Sequence, residues 1–520
     1  MPPPQPPPQP IAPLPPTLPP RKRRVGFLIA AVALVVLAVA AFVFISVRSS
    51  GGGSGSNVQN MEYASSTGAV QYLAFQLFTD TTGSKALQEN FPPMQKDVKI
   101  VVNDIVRAIG TVGSSNKKLG FIVGPISFDM SDDEVRQRIS DSFAIALQDN
   151  VAVGLHIDDS MFWGRLSNLN STENIEWLDW NKTPNTGRRL DWSATPTKLM
   201  PQLCLNSPAV EQAVKDRAAL IGEEIVRGHA SLKAVGKEDL FIGVIAGWET
   251  QMGRDFATGK YLGYCALTNL GYSAKNPPAD IDQARADIVK DFIDLWTAYL
   301  AAAGVPDEKI YSHSAFMSKT NFDSQHLSGT YMQTVNFTPP SVAFGEHHHP
   351  GFSTYPESGH PEQIQAELAK NGNPAWASAE GTALDPAQAE GGGAGDAMEA
   401  YLANMFNHGA ALVNVFGWGV GQSGNPFREV AENNDAIAAY KKFLGGTALS
   451  ETATTPNSSG GSLQDKVHTI QNNTVAWAKA HPDQKAALYA QSKLLDQYIQ
   501  ANDLKSANKT ADAILQMMGL

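Results

Sequence analysis

Cysteine is nearly absent, with two in 520 residues. That excludes a scaffold stapled by disulfides and any cage of thiolates around zinc or an iron–sulfur cluster. Positive charge is short as well: 40 Lys and Arg stand against 51 Asp and Glu, a net charge of −11. A general nucleic-acid binder needs a basic field, so no nucleic-acid partner is expected. No Gly-x-Gly-x-x-Gly follows the first predicted strand. A dinucleotide-binding sheet would therefore lack its phosphate-binding turn.

Proline, by contrast, crowds one end. Twelve of the first 20 residues are Pro and none of the 20 is charged. Proline fixes φ and offers no N–H, so this stretch reads as polyproline II or disordered tail. Arg21-Lys22-Arg23-Arg24 follows, and then 23 uncharged residues, 25–47. As a helix that run would reach about 34 Å, enough to cross a bilayer. It is longer than the apolar core of a cleaved signal peptide. The expectation is a single-pass transmembrane anchor. The basic cluster keeps residues 1–24 in the cytoplasm and places the rest on the periplasmic or extracellular side. Residues 48–66, Ser- and Gly-rich at the start, read as a flexible linker.

Beyond the linker, short apolar or β-branched runs alternate with long amphipathic stretches, the rhythm of parallel strands joined by crossover helices. Strands are predicted at 70–78, 119–127, 151–158, 240–248, 310–316, 341–347, 375–380 and 411–418. Helices are predicted between most of them, including 279–304 and 395–408 and a weaker pattern in 319–335. Ser131 and Glu134 fit a capping box, and Ser207-Pro208 a cap followed by Pro at the first helical position. Eight such units over residues 67–447 predict an α/β fold, a (β/α)8 TIM barrel. A linker at 448–462 leads to residues 463–520. Their apolar spacing predicts a helical hairpin or small bundle, docked on the barrel, on itself, or on an envelope protein partner.

In such barrels the chemistry lies where strands end. The predicted ends carry Asp129, His156 and Asp158, Trp248 and Glu249, His313, Glu346 and His347, Glu380, and Trp418. Glu249 and Glu380 end the fourth and seventh strands, which face each other across a barrel mouth. Two carboxyls flanking one bond are what glycoside hydrolysis requires. An acid beside Trp248 keeps its proton more easily.

At these residues the chain resembles the glycoside hydrolase clan A enzymes, the retaining (β/α)8 glycosidases, over roughly residues 67–447. The resemblance implies Glu249 as acid/base, Glu380 as nucleophile and Trp418 as the aromatic stacked on the sugar. Pro201-Gln-Leu-Cys204-Leu-Asn-Ser-Pro208 is similar to the corresponding loop of beta-galactosidase-like members. The chain departs from the clan at Trp248, where the clan carries an Asn that touches the sugar 2-hydroxyl. A carbohydrate substrate is implied, with Asp129, His156, Asp158, Trp248, His313, Glu346, His347 and Trp418 lining its site and no cofactor or metal.

Two other readings stay open. A non-catalytic carbohydrate-binding barrel needs no working pair of acids. A metal hydrolase could draw ligands from His156, Asp158, His313, Glu346 and the run His347-His348-His349. Neighbours in a strand point to opposite faces, so at most two of those three could serve one ion. The His-x-His of metal-dependent amidohydrolase barrels is missing from the first strand. Trp163, Trp177, Trp180 and Trp192 crowd the insertion after the third strand, either as sugar-stacking faces or as pins holding the loop. Cys204 and Cys265 are either a bridge or two buried thiols.

Overall fold

A computed structural model describes residues 70–79, 97–190, 196–317, 338–355, 361–384, 398–420, 425–451 and parts of 466–518. The Pro-rich segment, the apolar run 25–47, most of the two linkers and the predicted helix in 319–335 lie outside the described residues. Among the described residues no helix is long and apolar enough to cross a membrane.

Eight parallel strands form the core: β1 (Gln71–Phe78), β2 (Lys117–Ile126), β3 (Ala152–Ile157), β4 (Phe241–Ala246), β5 (Ile310–Ser312), β6 (Gly351–Ser353), β7 (Trp376–Gly381) and β8 (Ala410–Phe416). Each pairs with its neighbour in chain order, and β8 returns to β1. β5 and β6 are joined by parallel bridges Tyr311–His349 and Ser314–Phe352. Ser314 N donates to Gly351 O and Ser353 N to Ser314 O, both at 3.0 Å. The sheet is thus closed, and no edge is left to pair elsewhere. Its strands are buried on both faces, which is why they read as nearly continuous apolar runs.

The outer helices include α1 (Val98–Ile109), α2 (Asp132–Asp149), α3 (Pro208–Lys233), α4 (Ile281–Ala302), α5 (Pro361–Lys370), α6 (Met398–Phe406) and α7 (Asn434–Leu444). α2 opens with the expected capping box: Glu134 N donates to Ser131 Oγ, and Ser131 N to Glu134 Oε2 at 2.6 Å. α3 opens at Ser207, whose side chain accepts from Val210 N, with Pro208 in the first turn. Two further helices, α8 (Lys485–Gln500) and α9 (Leu504–Met518), share a small apolar cluster that includes Leu488, Leu495, Ala511 and Ile514.

One predicted strand is misplaced. Residues 341–347 do not pair in the sheet; Pro340–Ala343 is a 3₁₀ turn. Pro339 and Pro340 cannot donate to a ladder, so the sixth strand waits until Gly351, past Pro350. Gly351 is required there: a Cβ would stand 2.0 Å from the Ser312 carbonyl oxygen on β5. The approach of β6 to β5 thus requires a residue without a side chain at this position.

The loops after β3 and β4 are tied by a Cys204–Cys265 disulfide, with Cα atoms 5.8 Å apart. Trp163 and Trp177 are buried and donate to the Pro201 and Thr172 carbonyls at 3.2 and 2.7 Å. They pin the insertion. Trp180 packs edge-on against Tyr264, and Trp192 lies outside the described residues.

Candidate active site

The site begins with a backbone turn. β4 ends at Ala246, and Gly247 and Glu249 both take positive φ, 93° and 51°. Glutamate seldom adopts that region, at a cost of order 1 kcal/mol. Glu249 is buried, and its carboxyl is hydrogen-bonded to the Ser353 hydroxyl at the end of β6. Ser353 stands opposite Glu380 in the β6–β7 register, and adjacent strands run about 4.8 Å apart. The two acids therefore converge on the end of β6: the charge of Glu249 acts on Glu380, and both act on Tyr355.

The two carboxyls sit in different settings. Burial, and after it the charge of Glu249, pushes the Glu380 carboxyl up to about 8; a hydrogen bond from Tyr355 opposes this. The Tyr355 hydroxyl donates to Glu380 Oε1 at 2.8 Å, while Oε2 is buried with no hydrogen-bond partner. One oxygen is held and the other carries no hydrogen bond. Tyr355 keeps its own proton far above the usual phenol range, through burial first and then the charges of Glu380 and Glu249.

On the other side of Glu249 lies a buried ionic group. Arg188, in the insertion after β3, is 2% exposed and interacts with the charges of Asp158, Asp159 and Glu249. Its Nη1 donates to Gln202 Oε1 at 3.1 Å, and its Nε and Nη2 have no hydrogen-bond partner. Asp158 Oδ1 accepts from the amides of Met161 and Phe162 at 2.9 and 3.1 Å, and its Oδ2 is unpartnered. Burial, then the charge of Asp159, raises Asp158 to about 7. The Thr250 hydroxyl bonds Asp159 and so fixes the turn that presents Glu249.

A row of polar side chains crosses the barrel interior. Asn414 Nδ2 on β8 donates to Gln76 Oε1 on β1 at 2.8 Å and to the Ala379 carbonyl at 2.7 Å. Gln76 Oε1 lies 2.8 Å from His156 Nδ1, His156 Nε2 lies 3.0 Å from His313 Nδ1, and His313 Nε2 lies 2.8 Å from Ser353 Oγ. Trp248 stacks on His156 with ring centroids 4.0 Å apart and planes 3° from parallel. Burial depresses both imidazoles, His156 well below its ordinary value and His313 to about 3. Both rings are therefore neutral near neutral pH.

The structure thus brings together Glu249, Glu380, His156, His313, Trp248 and Asp158. Trp418, past the end of β8, is 5% exposed and meets Phe75 edge-on at 5.0 Å. Asp129 accepts from Arg165 N at 3.0 Å and braces a loop.

Glu346 and His347 are a correction, because they precede β6 rather than end it. His349 pairs with the start of β5, at the opposite end of the strands from Glu249. Glu346 is exposed, and His347 Nδ1 lies 3.3 Å from Asp307, ahead of β5. His348 is buried against Thr297 and the Ala343 carbonyl. The three histidines diverge, and among the described residues no three His, Cys, Asp or Glu side chains converge as metal ligands.

Sequence reasoning missed Gln76, Arg188, Ser353, Tyr355 and Asn414. Gln76 and Asn414 had a signal: each is a fully buried polar residue flanked by apolar neighbours within its strand. Ser353 and Tyr355 were hidden by the misplaced sixth strand.

No family profile and no curated protein matches the chain in sequence. Solved structures similar to it include glycoside hydrolases. The catalytic domain of a beta-amylase from Paenibacillus polymyxa is 8% identical, with a TM-score of 0.42, covering 73% of this chain and 99% of that one. A GH5-4 broad-specificity endoglucanase from an uncultured bacterium is 9% identical, with a TM-score of 0.35, covering 72% and 93%. A catalytic mutant of a GH42 beta-galactosidase from G. stearothermophilus is 11% identical, with a TM-score of 0.40, covering 74% of this chain and 58% of that one.

Proposed function

We propose that the chain is a glycoside hydrolase that cleaves a polysaccharide or oligosaccharide with retention of configuration. The observation that carries this reading is that Glu249 and Glu380 both bond to side chains at the end of β6, Ser353 and Tyr355, and act on each other electrostatically. Glu249 protonates the leaving oxygen. Glu380 Oε2 attacks the anomeric carbon, forming a glycosyl ester as the C–O bond to the leaving group breaks. Glu249, now a carboxylate, then takes a proton from the water that hydrolyses the ester. Tyr355 holds the other oxygen of Glu380 in line. Trp248 and Asp158, with the rings of His156 and His313 behind them, shape the pocket around the sugar. The full chain should release reducing sugar from one or more members of a polysaccharide panel, and Glu380→Gln should abolish that release. Binding without release by both proteins would instead make the barrel a carbohydrate-binding module.

The run 25–47, with its basic cluster, supports a single-pass anchor that leaves the barrel outside the cytoplasm. Protease added to cells stripped of any outer membrane and wall would then digest the barrel, whereas full protection until the inner membrane is broken would contradict the anchor's orientation. The helices α8 and α9 are a candidate contact for an envelope partner.

A further inference from the structure

The polar row through the barrel has a direction, and its far end sets it. The Ala379 carbonyl can only accept, so the Asn414 atom 2.7 Å away is the amide nitrogen. The other hydrogen of that nitrogen meets Gln76 at 2.8 Å, so the Gln76 atom there is the oxygen. That oxygen lies 2.8 Å from His156 Nδ1. Two acceptors cannot bond, so Nδ1 carries a hydrogen. In a neutral ring His156 Nε2 then accepts, His313 Nδ1 donates to it across 3.0 Å, and His313 Nε2 accepts in turn. The single hydrogen of Ser353 goes to His313. Its contact with Glu249 is left to a hydrogen on the carboxyl.

We infer that Asn414, Gln76, His156, His313 and Ser353 form a one-way hydrogen-bond relay that keeps Glu249 protonated. The inference rests on the reading of Glu249 as the acid and names what poises it: five positioning residues, none of which needs to touch substrate. With Glu249 neutral, burial still raises Glu380, but it no longer feels the charge of Glu249, and the hydrogen bond from Tyr355 favours the carboxylate a nucleophile must be. Among the described residues, the charged and titratable groups that interact with Glu249 include Arg188, Glu380 and Tyr355. Arg188 favours the anion and Glu380 the acid, so the relay decides between them.

The competing arrangement is definite. The Gly247 carbonyl, 3.1 Å from His156 Nε2, would accept from an imidazolium. That charge would turn His313 and Ser353 around and leave Glu249 a carboxylate. It would separate two charges inside the barrel, on a fully buried ring stacked against Trp248, where burial strongly opposes ionisation.

The ring nitrogens report the difference. In full chain labelled with 15N-histidine, NMR should find His156 and His313 as neutral rings with hydrogen on Nδ1, without titration between about pH 5 and about pH 8. The two rings are assigned by His156→Gln and His313→Gln. Hydrogen on Nε2 of either ring, or an imidazolium, would overturn the relay, whether or not the chain hydrolyses glycosides. Ser353→Ala supplies a second arm that keeps both rings. It should lower kcat/KM at least about tenfold on alkyl glycosides, whose leaving groups need a proton. On nitrophenyl glycosides, which need little proton assistance, the rate should hold within about twofold. Equal loss on both substrates would reduce Ser353 to a packing role and contradict the proposal.

Discussion

Glu380→Gln should lower kcat at least about a thousandfold on any glycoside the chain hydrolyses, a loss of roughly 4 kcal/mol of transition-state stabilisation. The amide keeps the volume of the carboxyl and the hydrogen bond to Tyr355, but it cannot form the ester. The loss should therefore fall on kcat for every leaving group, with KM changed little. Glu249→Gln should behave differently. It removes an acid, and the loss of about 10²- to 10⁴-fold expected for a proton donor should shrink as the leaving group becomes a better one. The two profiles separate the roles: a flat loss marks the nucleophile and a graded loss marks the acid. Reversed profiles would exchange the assignments. Full activity in both variants would remove these carboxyls from the chemistry. EDTA should leave the activity of the parent unchanged.

The stability of the folded chain should fall as pH rises from about 4.5 to about 8, through this same pair. The sign follows from the direction of the shift. The Glu380 carboxyl is raised from an ordinary 4.5 to about 8 by burial and by Glu249. The folded pair thus binds a proton that the unfolded chain has already released. That contribution is fully present below about 4.5 and is lost as pH climbs through about 8. One proton is worth at most roughly 1.4 kcal/mol per pH unit, so the whole effect is of the order of a few kcal/mol. Gln at either position leaves a single carboxyl in place of a pair that holds one shared proton. The variants should therefore gain stability relative to the parent as pH rises. Asp158 and Glu176, both raised to about 7 by burial, act in the same direction. His156 and His313, both lowered, act oppositely, since keeping them neutral costs stability as pH falls below 6.5. Urea titrations of parent and Glu380→Gln at matched pH isolate the pair. A difference that does not change with pH would show that the two carboxyls do not share a proton.

Local patterns carried much of this molecule. An apolar run such as Phe241–Ala246 followed by Gly-Trp-Glu shows both the strand and the acid at its end, because strand burial and rim chemistry are each written in adjacent residues. Capping residues are equally local, and Ser131 and Ser207 start helices where hydroxyl chemistry says they should. The sixth strand failed because the His-rich run looks like a strand end, while Pro339 and Pro340, which forbid a ladder there, stand at its front. Arg188 failed for another reason. It sits in a long insertion, and only the fold brings it beside Asp158, Asp159 and Glu249. Gln76 and Asn414 lie between these cases. Their oddness inside buried strands was visible, but their partners come from other strands, and a single-strand pattern cannot say which.

Covalent trapping of the reaction intermediate tests the central claim most directly. The full chain would be treated with a panel of 2-deoxy-2-fluoro glycosides bearing activated leaving groups, then digested and examined by mass spectrometry. The account predicts one sugar adduct, on the Glu380 side chain, absent from Glu380→Gln, and a first product that keeps the configuration of the substrate. An adduct on a different residue, or a product of inverted configuration, would contradict it.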